Sequence, residues 1–397
     1  MSRLRTALIA WDYPPSASGL AVAAREIAES LAAAGAEAHV YTLDREGSEV
    51  IGGVRVIGCQ PPEGGAGPWL RRRAAIGHLV APRWFAARIA ADHRQRPFDC
   101  LEATNWYAPG AFASRIPDLP FVTRHSTPAI STGAISGGLR DRLDGRYACH
   151  LEARTARRSA GHIFNTQSHG EKVRALYGLD ETSPQAVIGL SLPPERLARA
   201  AGAPYPPAGE ELRLLFVGRA EARKGFDCLM GALSILADEV ATGALPRFQL
   251  DLVGIGAEDL PPLDDRARSC LMLHGRLDDA ELDAAYREAD LVVAPSRYES
   301  FGLVYQEALA FGRPVIGLSA DPSARQVVGD SGAGLLAADA SGAALADVLR
   351  PALGDADLRL QLHRRAVAAA GRFTRQTLGS ETLALYEAAR AFRRQSA

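Results

Sequence analysis

The sequence predicts an α/β protein made of two doubly wound parallel-sheet domains, and three observations carry that expectation. Short apolar runs alternate with segments of helical period, a pattern that produces parallel strands covered by helices. The runs fall into two sets, and 397 residues suffice for two domains. The stretch 191–211 (SLPPERLARAAGAPYPPAGEE) is rich in Pro and Ala, has no strand character and separates the sets.

The first set offers strands at 6–11, 39–43, 54–59, 99–103, 121–124, 162–165 and 186–190. The second offers 214–218, 248–254, 271–275, 291–294 and 315–318. Helical patterns lie at 19–34, 226–239 and 279–289, and 337–346 reads as a loop and helix start. The expected organisation is a first domain over 1–190, a linker over 191–211 and a second domain over 212–372. A last helix begins at 373, with Leu378, Leu383, Leu385, Tyr386 and Ala389 on or near one face.

Composition excludes several classes. The formal net charge is -1, so bulk charge gives no reason to expect a nucleic-acid partner. Five scattered cysteines without a CxxC support neither a disulfide framework nor a zinc site, and a reducing cytoplasm is the expected location. The N-terminal apolar run is too short for a signal peptide, and no run is long enough to span a bilayer. The segment 69–96 is basic, with apolar residues alongside and Pro82 interrupting the pattern. It reads as a surface helix, or as a weak membrane-surface contact.

The chemistry concentrates at 295–317, PSRYESFGLVYQEALAFGRPVIG. Glu299 precedes a glycine turn, and Glu307 lies inside the helix that follows. The first amides of that helix, over Ser300, Phe301, Gly302, Leu303 and Val304, face a positive dipole end that suits phosphate oxygens. One carboxylate can accept from both adjacent hydroxyls of a ribose, which suits Glu307, while Glu299 can accept from hydroxyls of a sugar beyond the phosphates. A second loop, VGRAEARKG at 217–225, also follows a strand. There Arg219 and Lys224 are placed to neutralise a diphosphate. Taken singly, each motif is also what a solvated loop or an ordinary helix would show.

With these residues in view, the chain resembles the glycosyl transferases group one, that is, glycosyltransferase family four, whose members are retaining enzymes of the GT-B fold. The resemblance runs over nearly the whole chain and is most specific in the second half. It implies two Rossmann-like domains facing a central cleft. Tyr13-Pro14-Pro15-Ser16-Ala17-Ser18-Gly19 resembles the family's Pro-rich turn and double-glycine loop, and the final helix resembles a segment that crosses back onto the first domain.

The resemblance implies roles for single positions. Glu307 would bind the nucleotide ribose and Glu299 the donor hexose. Arg219 and Lys224 would hold the diphosphate and stabilise its leaving charge in place of a metal. Gly19 would allow close approach to that diphosphate. Gly275-Arg276-Leu277 matches the segment contacting the base, and His125 matches a histidine near the reacting carbon. The catalytic set so implied is His125, Arg219, Lys224 and Glu299. A lone histidine at a strand end equally suits a structural hydrogen bond. Two departures stand out: Ser18-Gly19 replaces the double glycine, and Ile188-Gly189-Leu190-Ser191 replaces the usual Pro-Asn-Gly-Val.

Trp11, Asp12, Asn105, Trp106, Tyr107 and Arg124 lie at or after strand ends of the first domain, and are acceptor candidates or ordinary packing. The expected activity is transfer of a hexose or N-acetylhexosamine from a nucleotide sugar to a hydroxyl of a small polar acceptor, such as a cyclitol or secondary-metabolite precursor. The donor is expected to be UDP-linked, with GDP-mannose second. No cofactor or metal is expected, the nucleotide sugar being a substrate. The alternatives are a membrane-associated enzyme acting on a lipid or polysaccharide, and a non-catalytic two-domain sugar-binding protein. Hydride transfer is disfavoured because Trp11-Asp12-Tyr13-Pro14-Pro15 occupies the place of a GxGxxG.

Overall fold

The computed structural model describes residues 3–16, 18–60, 77–132, 139–207, 209, 211–372 and 374–395. Contacts divide the chain into two compact units, Met1–Ser191 with Phe373–Ala397, and Leu192–Arg372.

The first unit holds β1 (Arg5–Ile9), β2 (Glu37–Thr42), β3 (Ser48–Ile51), β4 (Val54–Gly58), β5 (Cys100–Thr104), β6 (Phe121–His125), β7 (Gly161–Phe164) and β8 (Gln185–Val187). They form one sheet in the order β3-β4-β2-β1-β5-β6-β7-β8. The antiparallel pair β3–β4 departs from an otherwise parallel sheet. The winding reverses between β1 and β5, so a crevice opens outside their carboxyl ends.

Helix Gly19–Ala33 begins at Ser18, whose Oγ accepts from the Ala21 amide at 3.0 Å. It packs on helix Arg375–Gln395 so closely that a Cβ at Gly379 would stand 2.2 Å from the Ser30 carbonyl oxygen. The later helix buries Leu378, Leu385, Tyr386 and Ala389, four of the five apolar positions expected on its face, with Leu383 half-buried. Its Tyr386 hydroxyl donates to Glu102 Oε2 at 2.8 Å. On the basic segment, helix Gly77–Gln95 runs through Pro82 rather than stopping there. Proline forfeits one amide bond in the second turn. Val80, Ala81, Phe85 and Ile89 bury beside it, and a large side chain so buried contributes about 1.5–3 kcal/mol. Ala81, Phe85 and Ile89 serve the core of the unit, and Arg83 and Arg88 stay exposed. Residues 69–76 lie outside the described residues.

The second unit holds β9 (Glu211–Val217), β10 (Arg247–Val253), β11 (Leu271–Gly275), β12 (Leu291–Val293), β13 (Val315–Leu318) and β14 (Gly334–Ala337). All pair in parallel, in the order β11-β10-β9-β12-β13-β14. Leu214, Phe216, Leu250, Leu252, Val293 and Ile316 fill one core with Phe226, Leu229 and Leu233 of helix Phe226–Ala241 and Leu345 and Leu349 of helix Gly342–Gly354. The winding reverses between β9 and β12, which puts the two charged loops read from the sequence beside one another. The stretch 191–211, expected as a linker, contains helix Pro194–Ala200 and belongs to this unit from Leu192 onward.

Candidate functional site

Two glycines make the second unit's site possible. Gly225 ends the β9 loop at φ 71°, and a Cβ there would stand 1.8 Å from the Pro295 carbonyl oxygen. Only glycine lets this loop close on the end of β12. Gly302 has φ 73° and starts helix Leu303–Ala310, with the Tyr305 ring where its Cβ would be, 2.4 Å away.

These turns bring the expected residues together. Lys224 Nζ donates to Glu299 Oε1 at 2.6 Å. Arg223 Nη1, at 3.2 Å, and Ser296 Oγ, at 3.0 Å, donate to the same oxygen. Glu299 is therefore a carboxylate at the mouth of the switch point with two cations against it. Glu307 is held differently: Arg196 Nη1 donates to Oε1 and the Tyr286 hydroxyl to Oε2, each at 2.8 Å. Burial pushes its carboxyl up, and the Arg196 charge opposes that shift. Arg196 also pairs with Asp283, which Arg199 holds as well.

Other expected residues are arranged less tightly. Arg219 is 73% exposed and pairs with Glu221 at 2.7 Å. Arg276 is exposed. Ser300, Leu303 and Val304 are half-buried, while Phe301 and Gly302 are buried beneath the turn. Arg223, Arg196, Tyr286 and Asp321 are among the residues of this region that the sequence did not single out. Arg223 could have been found as the neighbour of Lys224. The Asp321-Pro322-Ser323 turn carries a capping signal, but nothing local says that it meets Glu299.

In the first unit the strand-end residues form a buried polar network. Asn105 Oδ1 accepts from the Ser126 amide at 2.6 Å, and Asn105 Nδ2 donates to the Tyr177 hydroxyl at 3.0 Å. That hydroxyl donates to Glu152 Oε2 at 2.6 Å, and Glu152 Oε1 accepts the Tyr107 amide at 2.8 Å. The carboxylate thus holds a turn in which Tyr107 and Ala108 both take positive φ, 55° and 45°. Trp11 Nε1 donates to the Trp106 carbonyl at 3.0 Å, and Asp12 Oδ2 accepts from Ser16 Oγ at 2.8 Å.

A cavity of about 60 Å³ lies behind, lined in part by Trp11, Thr104, Arg124, Ser126, Asn165 and Leu190. Arg124 is buried against Glu102, with Nε to Oε1 at 2.8 Å, and its Nη1 has no hydrogen-bond partner among the described residues. Of the acceptor candidates, Trp11 and Arg124 line the cavity, while Asn105 is consumed by the network. Gly19 has open space where a side chain would stand.

His125, at the end of β6, is enclosed by its neighbours. Its ring is fully buried, stacked on Phe164 with centroids 4.9 Å apart, and its Nε2 lies 3.1 Å from His162 Nδ1. Burial pushes it well below the usual imidazole range, so the ring is neutral.

Among the described residues, no group of three or more His, Cys, Asp or Glu is placed to hold a metal ion. No helix among them is long and apolar enough to cross a membrane.

Two mainly parallel sheets, each with charged or polar loops at the point where its winding reverses, define a two-unit α/β protein with a ligand-binding crevice in each sheet. Residues 203–368 match the family model described as "Glycosyl transferases group 1", and 18–191 match "Glycosyl transferase 4-like domain". A glycogen synthase of Mycobacterium tuberculosis is 31% identical, with 99% of this chain and 96% of that one covered. A D-inositol 3-phosphate glycosyltransferase of Xylanimonas cellulosilytica is 30% identical over 90% of this chain and 88% of its own. Sucrose-phosphate synthase from Thermosynechococcus elongatus shares the fold, with a TM-score of 0.73 at 21% identity, covering 97% of this chain and 98% of that one. The chain belongs to the GT-B glycosyltransferases of family four, the glycosyl transferases group one. It is a glycosyltransferase that takes its sugar from a nucleotide sugar.

Proposed function

We propose that the chain is a retaining, metal-independent glycosyltransferase that moves a hexose or N-acetylhexosamine from a UDP-linked donor to a hydroxyl of a small polar acceptor. The observation that carries this reading is the meeting of Lys224 and Arg223 with Glu299 at the end of β12. Two cations beside helix amides suit a diphosphate, and a carboxylate beside them suits the hydroxyls of the attached sugar.

Lys224 and Arg223 stabilise the charge that develops as the sugar–phosphate bond breaks. Glu299 orients the sugar, and Glu307 accepts from the ribose hydroxyls with an oxygen geometry set by Arg196 and Tyr286. This mechanism requires no protein base at the position of His125. The leaving phosphate oxygen takes the acceptor proton on the same face of the sugar, which leaves the anomeric configuration unchanged.

The test is nucleotide release from UDP-glucose, UDP-N-acetylglucosamine and GDP-mannose, each with D-inositol 3-phosphate or a glucan offered as acceptor and with EDTA present. Product of retained configuration without metal is expected. A strict divalent-cation requirement or an inverted product removes the corresponding part of the proposal.

A further inference from the structure

Glu299 must leave the main chain at one angle if it is to meet a sugar consistently, and the residues that hold that angle come from a different strand end. Asp321 follows β13 and is fully buried. Its Oδ1 accepts from the Glu299 amide at 2.7 Å and from the Ser323 amide at 3.3 Å. Its Oδ2 accepts from the Tyr305 hydroxyl at 2.6 Å and from the Ala324 amide at 3.3 Å. Two residues on, Ser323 Oγ donates to the Glu299 carbonyl oxygen at 2.9 Å. One turn thus grips both backbone polar groups of Glu299. Through Tyr305 the same carboxylate also fixes the ring that occupies the space beside Gly302.

We propose that Asp321, assisted by Ser323, is a positioning residue that sets the orientation of Glu299 toward the donor sugar; the inference rests on reading Glu299 as the sugar contact. A carboxylate buried among neutral donors is expensive to keep, and an aliphatic side chain would cost less there. The site therefore gives up stability for a rigid backbone beneath the binding carboxylate. The groups around Asp321 favour its neutral form. Burial is the largest cause, and the nearby Glu299 charge adds to it, against the hydrogen bonds from Tyr305 and the Glu299 and Ser323 amides; together they push its carboxyl up to about 6. Tyr298 also faces it, and Lys224 and Arg223 stand on the far side of Glu299. A protonated Asp321 spends one oxygen on its own hydrogen and loosens the clamp. Donor-sugar recognition then weakens as pH falls through that value.

The experiment compares binding of UDP and of UDP-glucose to the full chain and to Asp321→Asn and Ser323→Ala, with thermal unfolding recorded for each. In wild type, UDP-glucose should bind more tightly than UDP, and the advantage should shrink on acidification. In Asp321→Asn the UDP affinity should hold, while the advantage of the attached glucose falls by roughly ten- to a hundredfold, as displacement of a positioned group does. What remains should no longer depend on pH near 6. Ser323→Ala removes a single hydroxyl, so it keeps the test available if Asp321→Asn fails to fold; it should lose part of the same advantage. Equal losses for UDP and UDP-glucose, or an unchanged advantage in both variants, overturn the proposal. If wild type binds UDP-glucose and GDP-mannose no better than UDP and GDP, the reading of Glu299 itself falls, and the inference with it.

Discussion

Lys224 Nζ and Glu299 Oε1 lie 2.6 Å apart, an ion pair linking the end of β9 to the end of β12. On the reading proposed above, the cation for a diphosphate and the carboxylate for a sugar satisfy one another before a donor arrives. The site is thereby held without an unpaired charge, and a donor must offer both a phosphate and a hydroxyl to replace the pair without loss. A nucleotide lacking the sugar gives Lys224 a new partner and takes one from Glu299.

Replacing Lys224 by Ala should lower turnover of the donor by about 10²–10³-fold, the usual scale for losing one donor to a leaving-group charge. Nucleotide release under saturating donor measures it. Activity within about twofold of wild type would remove Lys224 from the leaving-group role.

Glu307→Ala should raise the donor KM by at least tenfold, because a ribose would lose its acceptor and Arg196 its partner. Arg196→Ala should raise it less, since Tyr286 still holds the other oxygen. An unchanged donor KM in both variants counts against a ribose at Glu307, and equal effects count against the order given.

Gly225→Ala should damage the site by geometry alone. The residue has φ 71°, and the added Cβ meets a carbonyl oxygen at 1.8 Å, so the loop must move. A lower unfolding temperature, by a change of roughly 1–3 kcal/mol, together with weaker UDP binding is expected. A variant with wild-type UDP affinity would show that Lys224 finds its place without this turn.

The first unit should lose stability on mild acidification. Burial pushes His162 and His169 down to about 4, against 6.5 for an ordinary imidazole. A folded-state value below the unfolded one means that the stabilisation is present above pH 6.5 and is lost as pH falls toward 4, by roughly 3 kcal/mol for each ring. Thermal unfolding across that window measures it, and His162→Phe should make the curve flatter. A slope unchanged by that substitution would remove His162 from the transition.

The parts visible in the sequence are those that express themselves locally. Strands buried on both faces read as continuous apolar runs, and all twelve expected runs overlap a strand. β3 went unread because Ser48, Glu49 and Val50 are exposed, and its pairing is made by the Gly52-Gly53 turn rather than by apolar residues. β14 went unread because Gly334, Leu335 and Leu336 sit half-buried on the sheet's edge beside an Ala/Gly-rich stretch. The spacing of Glu299 and Glu307 was legible because one turn and one helix carry both. Asp321, Arg196 and Glu152 reach their partners from other elements, and no periodicity records such a meeting. His125 shows the converse: its place at a strand end was legible, but not that Phe164 and His162 would enclose it.

The second unit lies wholly between two parts of the first in chain order. During synthesis, the buried carboxylate of Glu102 is made long before Tyr386, and Glu26 long before Arg375, which pairs with it. The first sheet therefore waits for helix Arg375–Gln395 with Glu102 and Glu26 lacking these partners, while the whole second unit emerges. The second unit is the one whose residues are all made before the last helix emerges. The other half matures last, although its first strand leads the chain.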